Sequence, residues 1–469
     1  MFSFLKRGPA FYKTVITLTL PIVMQNLVTN TLGLVDTFMV GMLGEEAMAA
    51  VTLANVPIFV IMLLIFGIQS GSSVLISQYW GRKDIDAINR VIGIGFYIAG
   101  GICLAFAAVM FLIPVQFIGL FSNNQSLVAL AAQYARIVGF SFLFNSLTEV
   151  YIGAQRSMGN PVVGLYILVI SMCANTFLNW VFIFGNLGAP RLGVAGAALA
   201  TLLSRILEFV IMVVYALRTK GFRLNFPILL QPGRFTTARF IHYATPVMFN
   251  ETMWGLGTAM YTTIMGHMED SSAILAAYTI SGNIEKIFIV VIMGLANAAA
   301  ILIGREIGAG HSDRVYDIGL TLDALTFGAG AVIGAAMVTA THLVLHPYLF
   351  PLFKMSEHSS GIAVMMITVL SVVMPMRAFN TTNVVGVIRG GGDVRTATLI
   401  DLCPLWLVAI PFAAVTGLVL KWGIFWVYMG LAAEQIVKAV AGVIRLRSRQ
   451  WIVDITRAGN GDGDLRQPQ

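Results

Sequence analysis

Twelve stretches of this chain, each long and apolar enough to cross a lipid bilayer, constrain its fold more than any other feature. A helix needs about 20 apolar residues to span the hydrocarbon core. Such stretches fall at 14–41, 52–79, 91–113, 127–153, 161–184, 193–217, 239–267, 275–304, 318–348, 359–388, 395–418 and 423–446. In hydrocarbon every backbone N–H and C=O must find its partner within the protein, so these stretches read as helices. Several exceed a minimal span, which predicts tilt or extension beyond the bilayer. Only 11% of the residues are charged, against about 25% in a soluble domain. The chain therefore reads as an all-α polytopic membrane protein, held in the cell membrane as a multi-pass chain.

Lys and Arg set the expected orientation. Lys6, Arg7, Lys13, Arg82, Lys83, Arg90, Arg156, Arg218, Lys220, Arg223, Arg234, Arg239, Arg305, Arg314, Arg389, Arg395, Arg445, Arg447, Arg449 and Arg457 fall on one side, and Arg191, Lys354 and Lys421 on the other. The positive-inside rule makes the rich side cytoplasmic, with both termini inside. The net charge of +7 is spread over these short loops and gives no nucleic-acid footprint. The opening MFSFLKRG lacks a small-residue cleavage site, so no removable signal peptide is expected. Cys103, Cys173 and Cys403 lie in apolar runs and read as buried free thiols.

The longest polar break, between 217 and 239, divides the chain into a six-helix lobe at 1–217, a cytoplasmic linker at 218–238 and a second six-helix lobe at 239–450. A polar tail, expected to be cytoplasmic and loose, occupies 451–469. The halves repeat each other. Gly67 and Gly81 have the separation of Gly294 and Gly308, and Gly153-Ala-Gln-Arg156 with Gly159 matches Gly386-Val-Ile-Arg389 with Gly392. Pro21 and Gly41 match Pro246 and Gly266, a register that aligns Asn26 with Glu251. Six helices per half is an even number, so the repeats run parallel about an axis along the membrane normal.

Within the first span, Asp36 follows Gln25, Asn26, Thr29, Asn30 and Thr31. A charge inside a membrane helix is costly and usually faces a cavity or a partner, which makes Asp36 a candidate ion or proton site. The alternative is a helix-end role near the interface, since Gly41 follows closely.

These features resemble the multidrug and toxic compound extrusion (MATE) family over about residues 14–450. The likeness is carried by Pro21 to Asp36 and Gly41, by GIQSG and SQYWGRKD, by GAQRSMGNP, by NTFLNWVFIFG and GVAGAALAT, and by NETMWGLG, in that order across the two halves. The resemblance implies twelve transmembrane helices in two pseudo-symmetric six-helix lobes around a V-shaped central cavity. It also implies secondary active efflux of amphipathic or cationic compounds in exchange for Na⁺ or H⁺, with no cofactor. The expected partners are those small molecules and the bilayer, and a monomer is expected.

Asp36 matches the helix-one aspartate of the family's first-lobe cation or proton site. Asn175 and Asn179, four apart, share one face of helix five, and Thr201 sits on helix six. Family members with a first-lobe Na⁺ site carry a second acid where this chain has Asn179, so a site here has one negative charge fewer. Both asparagines could instead make interhelical hydrogen bonds. Glu251 matches a helix-seven acid used in second-lobe coupling. Its alternative is a structural hydrogen bond to backbone freed by Pro246. Helix ten lacks the acid of a second-lobe Na⁺ site and offers Asn380, Thr381, Thr382 and Asn383 instead. Asp401, without an obvious partner, is a second-tier candidate, with Asn380 and Asn383. Gln25, Asn55, Phe59 and Trp254 are candidate cavity residues among the 23 Met and 30 Phe that could line an adaptable chamber.

Other charges have structural explanations. Arg205 with Glu208, and Glu434 with Lys438, can pair along a helix. Glu285 and Lys286 each need a separate partner, and Glu149, Arg136, Asp323 and Arg377 are expected near interfaces. His342 and His346 have metal-like spacing but no third ligand; no metal is expected beyond Na⁺ at Asp36. A lipid-linked precursor flippase remains an alternative, though it calls for basic residues where this chain is acidic. A membrane enzyme is a third reading, against which no histidine–carboxylate cluster, nucleophile motif or phosphate-binding glycine loop is evident.

Overall fold

The computed structural model describes residues 7–219, 221–352 and 355–456. Twelve long helices dominate it: α1 (Pro9–Gly41), α2 (Glu45–Arg82), α3 (Ile85–Leu112), α4 (Gln125–Ser157), α5 (Val162–Phe184), α6 (Val194–Arg218), α7 (Arg234–Gly266), α8 (Ser271–Gly308), α9 (Ser312–Tyr348), α10 (Glu357–Ile388), α11 (Val394–Val419) and α12 (Ile424–Ser448). Eleven are both long and apolar enough to cross a membrane. The twelfth, α7, has 33 residues, but Asn250, Glu251 and its threonines make it less apolar. The protein is a multi-pass membrane protein. Its outer surfaces agree: Leu112, Val332, Val372, Leu407 and Val419 are more than two-thirds exposed, a pattern that suits lipid.

Polar residues at the joints end these helices. Asp84, Asn124 and Asp393 each accept a hydrogen bond from a backbone N–H of the following helix, satisfying one orphaned donor of its first turn. The glycines repeated after α4 and α10 have a conformational cause. Gly159 and Gly392 have φ of 87° and 100°, the left-handed region that a side chain disfavours.

Prolines lie inside α1, α2, α7, α9, α10 and α11. Proline gives up one helix hydrogen bond, and in membrane helices neighbouring groups and local π-type adjustments absorb the loss. α10 turns π-helical over Thr382–Ile388, and α11 does so over Leu405–Ala409 and Val415–Val419.

The chain forms two compact units. One is Met24–Met248; the other joins the segment up to Val23 with the segment from Phe249 onward. The division falls inside α1 and α7, just after Pro21 and Pro246, and does not coincide with the polar break at 218–238. Close backbone packing within each unit explains this. In the first, a Cβ at Gly67 would lie 2.6 Å from Met248 Cα, and one at Gly71 2.5 Å from Ala244 Cα. In the second, a Cβ at Gly294 would lie 2.5 Å from Val23 Cγ2. The start of α7 thus packs on α2, and the start of α1 packs on α8, through the glycines that the repeat matches.

Two expectations need correction, and residues 221–238 hold structure of their own. A short turn, Phe226–Leu229, lies against α3, with Asn225 N donating to Asn89 Oδ1 at 2.9 Å, and α7 already begins at Arg234. The tail does not loosen at Trp451. That side chain is fully buried, donates from Nε1 to Leu446 O at 3.0 Å and lies on Gly391, while Val453 N donates to Gly391 O. An indole that finds a glycine surface and a carbonyl acceptor is drawn in by its area. The rest of the tail lies outside the described residues. Cys103 is buried, but Cys173 and Cys403 are exposed, because an apolar run in a membrane helix also has an outward face.

Candidate functional site

In the first unit, Asp36 of α1 accepts a hydrogen bond from Asn179 Nδ2 of α5 at 2.6 Å. Asn179 Nδ2 also donates to Asn175 Oδ1, 3.1 Å away, and Asn175 Nδ2 donates to Ser204 Oγ of α6 at 3.3 Å. The four-residue spacing places both asparagines in one column facing α1 and α6. Three of the expected residues therefore meet in one chain of hydrogen bonds. Thr201 stands beside it: its hydroxyl bonds back to Ala197 O at 3.0 Å and pairs with the hydroxyl of Tyr134 of α4. Ser204 and Tyr134 were not legible as site residues, since an isolated serine or tyrosine in a membrane helix carries no spacing signal.

No cation contacts Asp36 among the described residues. The nearest one electrostatically is Arg205, which is committed elsewhere. Arg205 NH1 lies 2.7 Å from Glu208 Oε2, as expected from their spacing, and Ser171 Oγ donates to the same oxygen at 2.9 Å. Glu208 is fully buried. Glu149 accepts from Gln69 Nε2 at 3.0 Å and interacts electrostatically with Arg156 and Arg205. Arg156 NH2 donates to Gln25 Oε1 at 2.7 Å, so Gln25 is buried and engaged. Asn55, Phe59 and Trp254 are exposed.

In the second unit the matched arginine meets a carboxylate one register position further on: Arg389 NH1 lies 3.1 Å from Glu251 Oε1, where Arg156 meets the amide of Gln25. Glu251 thus meets a guanidinium. Asp401 is not partnerless. Lys438 Nζ lies 2.8 Å from Asp401 Oδ1 and 2.7 Å from Glu434 Oε1, and Asn250 Nδ2 donates to Asp401 Oδ2 at 2.9 Å. The expected Glu434–Lys438 pair forms, and a third helix joins it. Glu285 finds Arg377. Asn380 bonds Gln435 at 2.8 and 2.9 Å, and Asn383 bonds Asp323. Asp323 is buried, and α10 brings it an amide.

Glu251 and Asp401 each face a cation at salt-bridge distance, whereas Asp36 has the Asn179 amide and no cation in contact among the described residues. A hard cation such as Na⁺ wants several oxygens. Around Asp36, Asn179 offers an N–H to the carboxylate, and its Oδ1 is the one buried oxygen of that pair left without a partner. The set suits a small positive charge with few ligands better than a full oxygen cage.

The MatE family model matches residues 21–181 and 246–415, one segment in each half. The chain is 26% identical to the probable multidrug resistance protein YoeA of Bacillus subtilis, over 91% of this chain and 92% of the relative. It is 22% identical to the probable multidrug resistance protein NorM of Thermotoga maritima, over 94% of each. A solved outward-facing multidrug resistance MATE transporter superposes with a TM-score of 0.83 at 20% identity, covering 95% of this chain and 98% of that one.

Proposed function

The chain belongs to the MatE family of multidrug efflux transporters, and from that premise we propose that it is a secondary antiporter exporting amphipathic cations in exchange for protons taken up at Asp36. The observation that carries this reading is the setting of Asp36. It is a membrane-helix carboxylate with no cation in contact among the described residues, held by Asn179 and backed by Asn175 and Ser204. Burial disfavours the charged form of a carboxylate and a nearby cation favours it, so such a group can exchange a proton against a cationic substrate. Na⁺ is the weaker candidate, because the acid of the family's Na⁺ site is replaced by Asn179. Glu251, joined to Arg389, is proposed to shape substrate binding in the second unit rather than to carry the exchanged ion. Both termini are proposed to be cytoplasmic, from the Lys and Arg asymmetry.

The deciding experiment is efflux of a fluorescent cationic dye from proteoliposomes under an imposed pH gradient and, separately, an imposed Na⁺ gradient. Transport driven by the pH gradient alone is expected. Transport driven only by Na⁺ overturns proton coupling; transport driven by neither overturns antiport.

A further inference from the structure

Apart from the clusters above, one carboxylate in the second unit is buried without a counter-charge. Asp323, in the first third of α9, is 2% exposed. Its Oδ2 accepts from Asn383 Nδ2 of α10 at 2.8 Å. Its Oδ1 and the Oδ1 of Asn383 are both buried and without hydrogen-bond partners among the described residues. Asn383 is itself fully buried, and its Oδ1 lies against Gly442 of α12, where a Cβ would come within 2.7 Å.

The charged groups on the packed elements are engaged elsewhere. Arg377 of α10 pairs with Glu285 of α8, and Arg389 with Glu251. Lys438 of α12 pairs with Asp401 and Glu434, and Arg445 with Asp393. Lys286, Arg305 and Glu306 of α8 and Asp317 of α9 make neither ion pair nor hydrogen bond with Asp323 among the described residues. An uncompensated charge in such a place is strongly disfavoured, and so is a buried acceptor with no donor.

We propose that Asp323 and Asn383 form a second proton-binding site, in which one proton on Asp323 is shared with the Asn383 amide oxygen. That proton makes Oδ1 a donor and gives Asn383 Oδ1 the hydrogen it lacks. With the existing N–H to Oδ2 bond, it closes a two-bond acid–amide pair. Neutralisation and satisfaction of both orphaned oxygens follow from one proton, whereas Na⁺ would find two oxygens where it needs several. Asn383 also stands in the π-helical segment Thr382–Ile388, a local geometry common at functional sites. Neither the repeat nor the first unit supplies an equivalent: the matched register places Val150 opposite Asn383.

The test is infrared spectroscopy of the full chain in lipid nanodiscs, in an Asp36→Asn background so that the site of the transport reading contributes nothing. The spectrum at neutral pH is expected to hold a carbonyl band of a protonated carboxyl group that Asp323→Asn removes and Asn383→Ala shifts in frequency. Thermal unfolding of Asp323→Asn is expected to match its parent, since one neutral hydrogen-bonding group replaces another. A spectrum unchanged by Asp323→Asn overturns the proposal, as does loss of stoichiometric ²²Na⁺ binding on that substitution. Should Asp323→Asn fail to fold, the Asn383→Ala band decides: a shift supports the shared proton, and no shift overturns it.

Discussion

At the scale of the residue, what separates the acidic side chains is company. Asp36 and Glu251 are both membrane carboxylates, yet only Glu251 has a guanidinium 3.1 Å away. Removing the charge of Asp36 takes away the group that exchanges a proton, so Asp36→Asn is expected to abolish gradient-driven dye efflux at wild-type protein levels. Side-chain volume is nearly unchanged and Asn179 keeps an acceptor, so the melting temperature should stay close to wild type. Wild-type efflux rates in vesicles holding Asp36→Asn would show that coupling lies elsewhere. Glu251→Gln removes the carboxylate that pairs with the buried Arg389. Breaking one partner of a buried pair costs about 3–5 kcal/mol. The expected result is reduced efflux, a narrower set of exported dyes and a lower unfolding midpoint. Lys438 makes a sharper case, since it serves two carboxylates at once. Lys438→Met should destabilise the protein more than Glu434→Gln, read as the shift in unfolding temperature of matched preparations.

At the scale of the element, glycine decides how closely helices cross. Gly71 admits Ala244 of α7 so nearly that any side chain must push the backbone apart. Overpacking of this kind costs about 1–3 kcal/mol and sometimes more. Gly71→Val is therefore expected to lower the yield of folded protein in mild detergent, judged by size-exclusion profile, whereas Gly101→Val, with open space around it, should not. An equal loss from both would mean that the α2–α7 crossing is not tight. Gly159 and Gly392 act differently: their positive φ lets the chain turn sharply after α4 and α10. The repeat is therefore a repetition of backbone requirements as much as of side chains.

At the scale of the whole molecule, each compact unit contains the start of one long helix and the end of another. Charge sets the orientation. Twenty Lys and Arg on one side against three on the other predict that both termini are cytoplasmic. A protease added outside intact cells should leave a C-terminal tag uncut and cleave it only after permeabilisation. Cleavage in intact cells would reverse the assignment.

Sequence by itself determined the helical class, the approximate place of each span, the two-fold repeat and the candidacy of Asp36, Asn175 and Asn179. These rest on local quantities: apolar length, glycine and proline spacing, and a four-residue period that keeps two asparagines on one face. The intrahelical pairs Arg205–Glu208 and Glu434–Lys438 were legible for the same reason. What only tertiary structure decided lies between helices. Asp401 meets Lys438 and Asn250, Glu251 meets Arg389, and Asp323 meets Asn383 through crossings that no periodicity encodes. The burial of Trp451 depends on a glycine surface some sixty residues earlier. The division of the units inside α1 and α7 came from the same source: a polar break marks where a chain leaves the membrane, but close packing at Gly67 and Gly294 decides which helical segments belong together.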